Sequence, residues 1–106
     1  MADELKWTPG PWSVDVLMHS DPNGDDYPSE VEVGSDSGLH ICGHDLGYND
    51  DVDVAIIANA HLIAAAPDLY AALDALCDRE GDDDLDAVRA KWAAGRAALA
   101  KARGEA

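Results

Sequence analysis

The stretch ANAHLIAAAPDLYAAL, residues 58–73, decides the fold of this chain. Its apolar residues follow helical spacing, but Pro67 stands in the middle of it. Proline inside a helix removes a backbone hydrogen bond and clashes with the preceding turn, at about 3 kcal/mol, whereas proline in the first turn has no such cost. We therefore predict a corner at 64–66, where one helix ends and Pro67 begins the next. A single helix kinked at Pro67 is the alternative.

Helical periodicity extends from this corner in both directions. Upstream, Asp50 or Asp51 is the expected N-cap, and Asp53 in the first turn suits the helix dipole. The first helix should bury one stripe of residues: Val52, Ile56, Asn59 or Ala60, and Ile63, widened by Ile57 and Leu62. The stripe expected for the second helix consists of Leu69, Leu73 and Leu76.

A third helix is predicted over residues 85–104, with Asp84 as its N-cap and Gly104 as its stop. It should form an antiparallel hairpin with the second helix. Its expected buried stripe is Leu85, Val88, Trp92, Leu99 and Ala102. A second face carries small residues that permit close helix packing, within the chain or across a dimer: Ala93, Ala97 and Ala100.

The first half of the chain alternates apolar and polar residues, which is typical of strands. The segments SVDVLM (13–18), EVEVGS (30–35) and LHICGH (39–44) predict three strands with Val14, Val16, Val31 and Val33 on one face. The segment 19–29, rich in Pro, Gly, Asn and Asp, is expected to be a loop, and 35–38 a tight turn. The apolar face of this antiparallel meander needs a cover.

Together these elements predict an α+β fold: an N-terminal three-stranded antiparallel sheet covered by two or three C-terminal helices. The chain has 106 residues, which suits one domain. We expect a single domain over 1–106, with the β meander in 1–48 and the helical part in 49–106.

The charge balance restricts the partners. The chain has a formal net charge of −15, with 22 acidic and 7 basic residues. Bare nucleic acid and anionic membranes would be repelled, so we expect neither as a direct partner. The acidic composition fits either a selected surface or the bias of a whole proteome. No apolar run reaches membrane-spanning length, and two cysteines without a secretion signal fit a cytoplasmic protein with reduced thiols.

The candidates for chemistry are few. His40, Cys42 and His44 alternate on one strand and could contribute ligands to a zinc or copper ion, but residues of a single strand rarely complete such a site. We therefore expect no metal and no cofactor. A nucleophile formed by Cys42 with His44 or His61 lacks an oxyanion loop, so no catalytic residue is assigned and no enzyme activity is expected.

Aromatic and basic side chains offer a binding site instead. Exposed aromatic rings can stack on a nucleobase, and polar groups in an apolar helix require partners. The ligand-binding residues predicted on this basis are Trp12, Tyr48, Asn59, His61, Arg89 and Arg96. The competing interpretation is that Trp12 and Trp92 pack in the core and that the arginines are ordinary surface residues of a helix.

The segments TPGPW (8–12) and ANAHLIAAAPDL (58–69) make the chain resemble a widespread group of small bacteriophage and prophage proteins. Its layout also resembles phage immune-evasion proteins such as the Thoeris anti-defence sponges. That resemblance implies a homo-oligomer in the host cytoplasm that sequesters a cyclic nucleotide or an ADP-ribose derivative without turnover. The alternative is an acidic inhibitor or DNA mimic of a host nucleic-acid enzyme, using the carboxylate runs at 25–26, 50–53 and 82–86.

Overall fold

The computed structural model describes residues 7–47, 50–78 and 83–105. Three strands precede three helices, and this confirms the predicted α+β class. The strands are β1 (Trp12–Ser20), β2 (Asp26–Ser35) and β3 (His40–Asp45), in the spatial order β1-β2-β3 with antiparallel pairing. The helices are α1 (Asp50–Ala64), α2 (Ala66–Cys77) and α3 (Leu85–Ala102).

The β1–β2 hairpin is longer than the sequence predicts. The segment 19–29 was expected to be a loop, but β1 continues to Ser20 and β2 begins at Asp26. A register shift between Leu17 and Met18 lets the ladder accommodate Pro28, which lies opposite Met18. The loop proper is short because the Asp21 carboxylate accepts backbone hydrogen bonds across it, including one from Asp25 at 2.9 Å.

The core lies between the sheet and α1. Val31 and Val33 of the central strand are 2% and 1% exposed, and they cluster with Ala60 and Ala64 of α1. Small residues on the helix let it approach the sheet closely. The sequence left Asn59 or Ala60 as the inward residue, and Ala60 is the one that is buried.

The predicted corner is present. α1 and α2 are separated by Ala65 alone and meet at a bend of 46°. Pro67 has no N–H to donate to the carbonyl one turn back, so it stands in the first turn of α2. The observed start of α2 at Ala66 is one residue before the predicted one.

The N-terminal segment packs on this corner. A Cβ placed at Gly10 would lie 2.7 Å from the Pro67 Cβ, closer than carbon atoms approach in proteins. The indole Nε1 of Trp12 donates a hydrogen bond of 3.1 Å to the Thr8 carbonyl, which fixes the turn of the segment. The two motifs that carry the phage resemblance therefore form one contact in the fold.

Helices α2 and α3 form the predicted antiparallel hairpin. The Lys101 ammonium lies 2.8 Å from the Asp68 carboxylate near one end of the hairpin. Near the other end, the Lys91 ammonium donates to the Asp78 carbonyl at 2.6 Å. The Asp84 carboxylate accepts from a first-turn backbone N–H at 3.0 Å, so Asp84 caps α3 as predicted. α1 already begins at Asp50, so the prediction of Asp50 or Asp51 as its N-cap is wrong: both residues lie inside the first turn, and the residue at the cap position lies outside the described residues.

The buried stripes predicted for α2 and α3 are wrong in part. Leu73, Leu85, Trp92 and Leu99 are 63%, 60%, 56% and 51% exposed. The hairpin is joined through small residues, with Ala72 and Ala98 buried at the seam, while α1 is the helix that lies on the sheet. The bulky side chains beside the seam are left open. The α1 stripe is also partly exposed, at Val52, Leu62 and Ile63.

Candidate functional site

The solvent side of the sheet carries a compact group of carboxylates. Strand alternation sends Val31 and Val33 to the core, so Glu30 and Glu32 point the other way. In the ladders, Asp15 lies opposite Glu32, and Glu30 lies opposite Asp45. We call these four residues the acidic sheet face: Asp15, Glu30, Glu32 and Asp45.

These four carboxylates form a diagonal row across the three strands. Directly opposed residues of an antiparallel pair have Cβ atoms about 4.5–5.5 Å apart, and alternate residues on one strand are about 6.8 Å apart. Like charges directly opposite each other destabilise a sheet. The acidic sheet face contains two such pairs side by side.

Nothing nearby neutralises the row. None of the four carboxylates has a hydrogen-bond or ion-pair partner within residues 7–47, 50–78 and 83–105. The sequence from Trp7 to Asp78 contains no lysine or arginine at all. The imidazoles of His40 and His44 line the same concavity as Glu30 and Asp45 at the β3 edge. Lysine and arginine are absent from all three strands.

The basic side chains of the described chain lie on α3 or its C-cap. Arg89 and Arg96 are exposed, whereas Lys101 is half-buried in its ion pair with Asp68. The C-cap residue Arg103 pairs with Glu105 at 2.8 Å. This hydrogen bond and the opposite charge lower the pKa of the Glu105 carboxyl and raise that of the guanidinium.

Two of the predicted ligand-binding residues lie together. Trp12 and His61 line one cavity of about 330 Å³ with Lys101, between the start of β1, α1 and the end of α3. The Asp36 carboxylate also lines it. This cavity joins an indole, an imidazole and an ammonium group, but two carboxylates stand close by, since Lys101 is already paired with Asp68.

The other predicted residues do not join this cavity. Asn59 lines a separate cavity of about 290 Å³ between the sheet and α1, together with Cys42 and His44. Arg89 and Arg96 line neither of these two cavities. Tyr48 lies outside the described residues, so its assignment stays a prediction. The sequence therefore predicted one site where the structure divides its residues among three places.

A third concavity follows α2 on the side of the N-terminal segment. It has a volume of about 850 Å³ and is lined by Trp7, Pro67, Tyr70 and Asp74 among others. The rings of Trp7 and Tyr70 meet edge to face, with their centroids 4.9 Å apart. Aromatic and acidic groups line this groove together, so the groove favours a cationic ligand over an anionic one.

The remaining chemical candidates are the possible metal ligands and the two cysteines. In the described chain, no group of three or more His, Cys, Asp and Glu side chains is arranged to hold a metal ion. Cys42 and Cys77 are both free thiols, the first half-buried and the second exposed.

Neither Lys101 as a site residue nor the acidic sheet face as a unit is predicted from the sequence. The alternation in EVEV places two of its four carboxylates on one side. The absence of lysine and arginine over the same half of the chain is the signal that would have marked the surface. The other two members depend on strand register, which the sequence does not supply.

No single helix in the parts of the chain described here is long and apolar enough to cross a membrane. α1 and α2 reach that length and hydropathy only as a pair, which is bent by 46°.

Comparison with known families identifies a phage protein family. The model of the family of Salmonella phage P22 protein Y8K6 matches residues 1–106. Comparison with curated proteins and with solved structures gives no match.

Proposed function

The chain belongs to the family of Salmonella phage P22 protein Y8K6, and on that premise we propose that it is a phage-encoded binding protein without catalytic turnover. Its acidic sheet face docks on a basic, nucleic-acid-binding surface of a host protein and blocks that surface. Such a partner would be met in the cytoplasm of the infected bacterium.

The observation that carries this proposal is the presence of two directly opposed carboxylate pairs on the sheet. Asp15 faces Glu32, and Glu30 faces Asp45, with no cation from the described chain between them. A sequence usually avoids such pairs because they lower stability. Local rules of this kind are most often broken at functional sites. A basic partner would turn both repulsions into attractions.

The charge of the whole chain acts in the same direction. The chain has a net charge of −15 and no lysine or arginine from Trp7 to Asp78. The sheet therefore projects a negative electrostatic potential. Such a field speeds association with a basic surface and weakens as salt is added. The same field repels bare nucleic acid. The proposed partner is therefore not nucleic acid itself but a protein with a basic surface that binds nucleic acid.

The test is a competition assay with purified DNA- and RNA-binding enzymes of the host bacterium. A fluorescent duplex bound to each enzyme is titrated with the phage protein, and its release is followed by anisotropy. The proposal predicts that at least one enzyme releases its duplex, and that release weakens as salt is raised.

The matched variants decide whether the acidic sheet face is responsible. Glu30→Gln with Glu32→Gln removes two charges from that face, and Asp36→Asn with Asp74→Asn removes two exposed charges that lie outside it and outside the carboxylate runs. Exposed ion pairs contribute about 0.2–1 kcal/mol each, so the first variant should lose roughly tenfold in affinity while the second changes little. Equal inhibition by the two variants would remove the proposal.

The cavity at Trp12 favours a second candidate, the sequestration of a cyclic nucleotide or an ADP-ribose derivative. The indole and the His61 imidazole offer stacking surfaces, and the Lys101 ammonium offers a phosphate partner. Its volume of about 330 Å³ is at the small end for a ligand pocket. The carboxylates of Asp36 and Asp68 oppose an anionic ligand, so this candidate stands second.

Titration calorimetry with cyclic dinucleotides and cyclic ADP-ribose separates the two candidates. A sponge requires binding near nanomolar affinity, about −12 kcal/mol. His61→Ala should abolish that binding, whereas Glu30→Gln with Glu32→Gln should preserve it or strengthen it. Absence of heat at micromolar concentrations of every nucleotide would remove the second candidate and leave the first untouched.

A further inference from the structure

The α2–α3 hairpin has two unlike sides. On one side of its seam, a groove of about 490 Å³ is lined almost entirely by alanine, with the Asp68–Lys101 ion pair at its end. The opposite side carries large apolar side chains. We call that side the hairpin face; its members are Leu69, Leu73, Leu76, Leu85, Val88, Trp92 and Leu99.

Helical geometry places these residues together. With 3.6 residues per turn, Leu69, Leu73 and Leu76 lie on one side of the buried Ala72, away from the alanine groove. The same reasoning places Trp92 and Leu99 on one side of Ala98. A Cδ atom of Leu76 lies 3.7 Å from the position of a Cβ built at Gly95, so the two helices contribute to a common surface.

The spacing on α3 is that of a helix-packing seam. Leu85, Trp92 and Leu99 recur every seven residues, and Val88 and Gly95 occupy the intermediate positions. This is the pattern by which helices of a bundle interlock with a second layer of helices. Among residues 7–47, 50–78 and 83–105 no second layer covers it, since Leu85, Trp92 and Leu99 are all more than half exposed.

From these observations we infer that the hairpin face is a dimer interface, covered by the same face of a second copy of this chain. Two hairpins packed in this way form a four-helix bundle. The inference does not depend on the proposed function, because it concerns the helical end of the molecule and not the sheet.

The exposed area is sufficient for a dimer. Burial of a leucine removes about 60–120 Å² and that of a tryptophan about 150–250 Å² from water. The exposed fractions of the hairpin face then correspond to about 250–400 Å² of apolar surface in each copy. With a polar rim of ordinary proportion, two copies bury about 800–1,300 Å² in total, and a specific interface needs about 1,000 Å².

Charge opposes a second copy less at the hairpin than at the sheet. Two chains of net charge −15 repel one another through their sheets, whose strands carry no lysine or arginine. Arg89, Lys91, Arg96 and Lys101 all lie on α3, so the hairpin is where acidic and basic side chains are interspersed. An acidic chain can approach its own copy there with the least repulsion.

The test is sedimentation velocity at about 50 µM, where a dimer of moderate affinity is populated. The wild-type protein should sediment at twice the 11.2 kDa of the chain. The double variant Leu73→Gln with Trp92→Gln should sediment as a monomer. The single variant Leu99→Gln should do so as well, and it replaces the double variant in the test where the latter fails to fold. A monomeric wild type, or variants that stay dimeric, would overturn the inference.

Matched controls are available on other surfaces. Val54 on α1 and Leu39 before β3 are 67% and 56% exposed, and neither lies on the hairpin face. Val54→Gln with Leu39→Gln should remain dimeric and keep the wild-type circular dichroism spectrum. Dissociation of this control would show that the hairpin face is not the interface.

Discussion

Replacing Glu30 and Glu32 by glutamine should make the protein more stable, although both residues lie on the surface. Each glutamate faces another carboxylate across the sheet, Asp45 and Asp15 respectively. The exchange keeps side-chain length and hydrogen-bonding capacity but removes both like-charge pairs. If the glutamates instead stabilised the fold, replacing them would lower the free energy of unfolding.

The magnitude follows from the register of the strands. Two unit charges about 5.5 Å apart in water repel by about 0.75 kcal/mol, and physiological salt reduces this to about half. Removing both pairs should therefore raise the free energy of unfolding by about 0.8–1.5 kcal/mol. Unfolding entropies near 2.1 cal/mol/K per residue convert this to a rise in melting temperature of about 4–7 °C for a chain of 106 residues.

The assay is thermal unfolding followed by circular dichroism, at low salt and at about 1 M salt, where the screening length falls to about 3 Å. The rise should be larger at low salt and nearly absent at high salt. Asp36→Asn with Asp74→Asn changes the net charge equally and should shift the midpoint little. A melting temperature unchanged or lowered at low salt would refute the reasoning about the acidic sheet face.

Three further outcomes test the fold itself. Gly10→Ala should destabilise the protein by about 1–3 kcal/mol in urea unfolding, because the new methyl group meets Pro67; a neutral result would contradict the packing of the N-terminal segment on the corner. Asp84→Ala should cost about 1 kcal/mol through loss of the α3 cap, and an unchanged midpoint would show that the cap contributes nothing. The Glu105 carboxyl should titrate below its ordinary pKa in an NMR titration of the wild type and at its ordinary pKa in Arg103→Ala; its small stabilisation is present above the ordinary pKa and is lost as the pH falls through the lowered value.

Local patterns predicted the elements of this fold well. Alternation placed Val31 and Val33 in the core, and the helical spacing around Pro67 gave two helices with a corner between them. These features depend on residues close in sequence. The loop between β1 and β2 was expected to span 19–29 because this segment is rich in Pro, Gly, Asn and Asp, but the register shift at Leu17 and Met18 lets the ladder include Pro28.

The candidate site was predicted less well, because it depends on how the elements are arranged. Nothing in the sequence says that α1 alone would lie on the sheet, so Trp92 and Leu99 were expected to be buried and are exposed. Trp12 and His61 line one cavity, whereas Asn59 lines another, between the sheet and α1. Long-range pairing, which local periodicity does not encode, decides each of these cases.

The central claim is that the acidic sheet face binds a basic surface of a partner protein, and the competition assay tests this binding most directly. The concentration of phage protein that releases half of the duplex from a host enzyme should rise roughly tenfold on going from wild type to Glu30→Gln with Glu32→Gln, even though that variant melts at a higher temperature. A more stable variant that releases the duplex as well as the wild type does would contradict the claim.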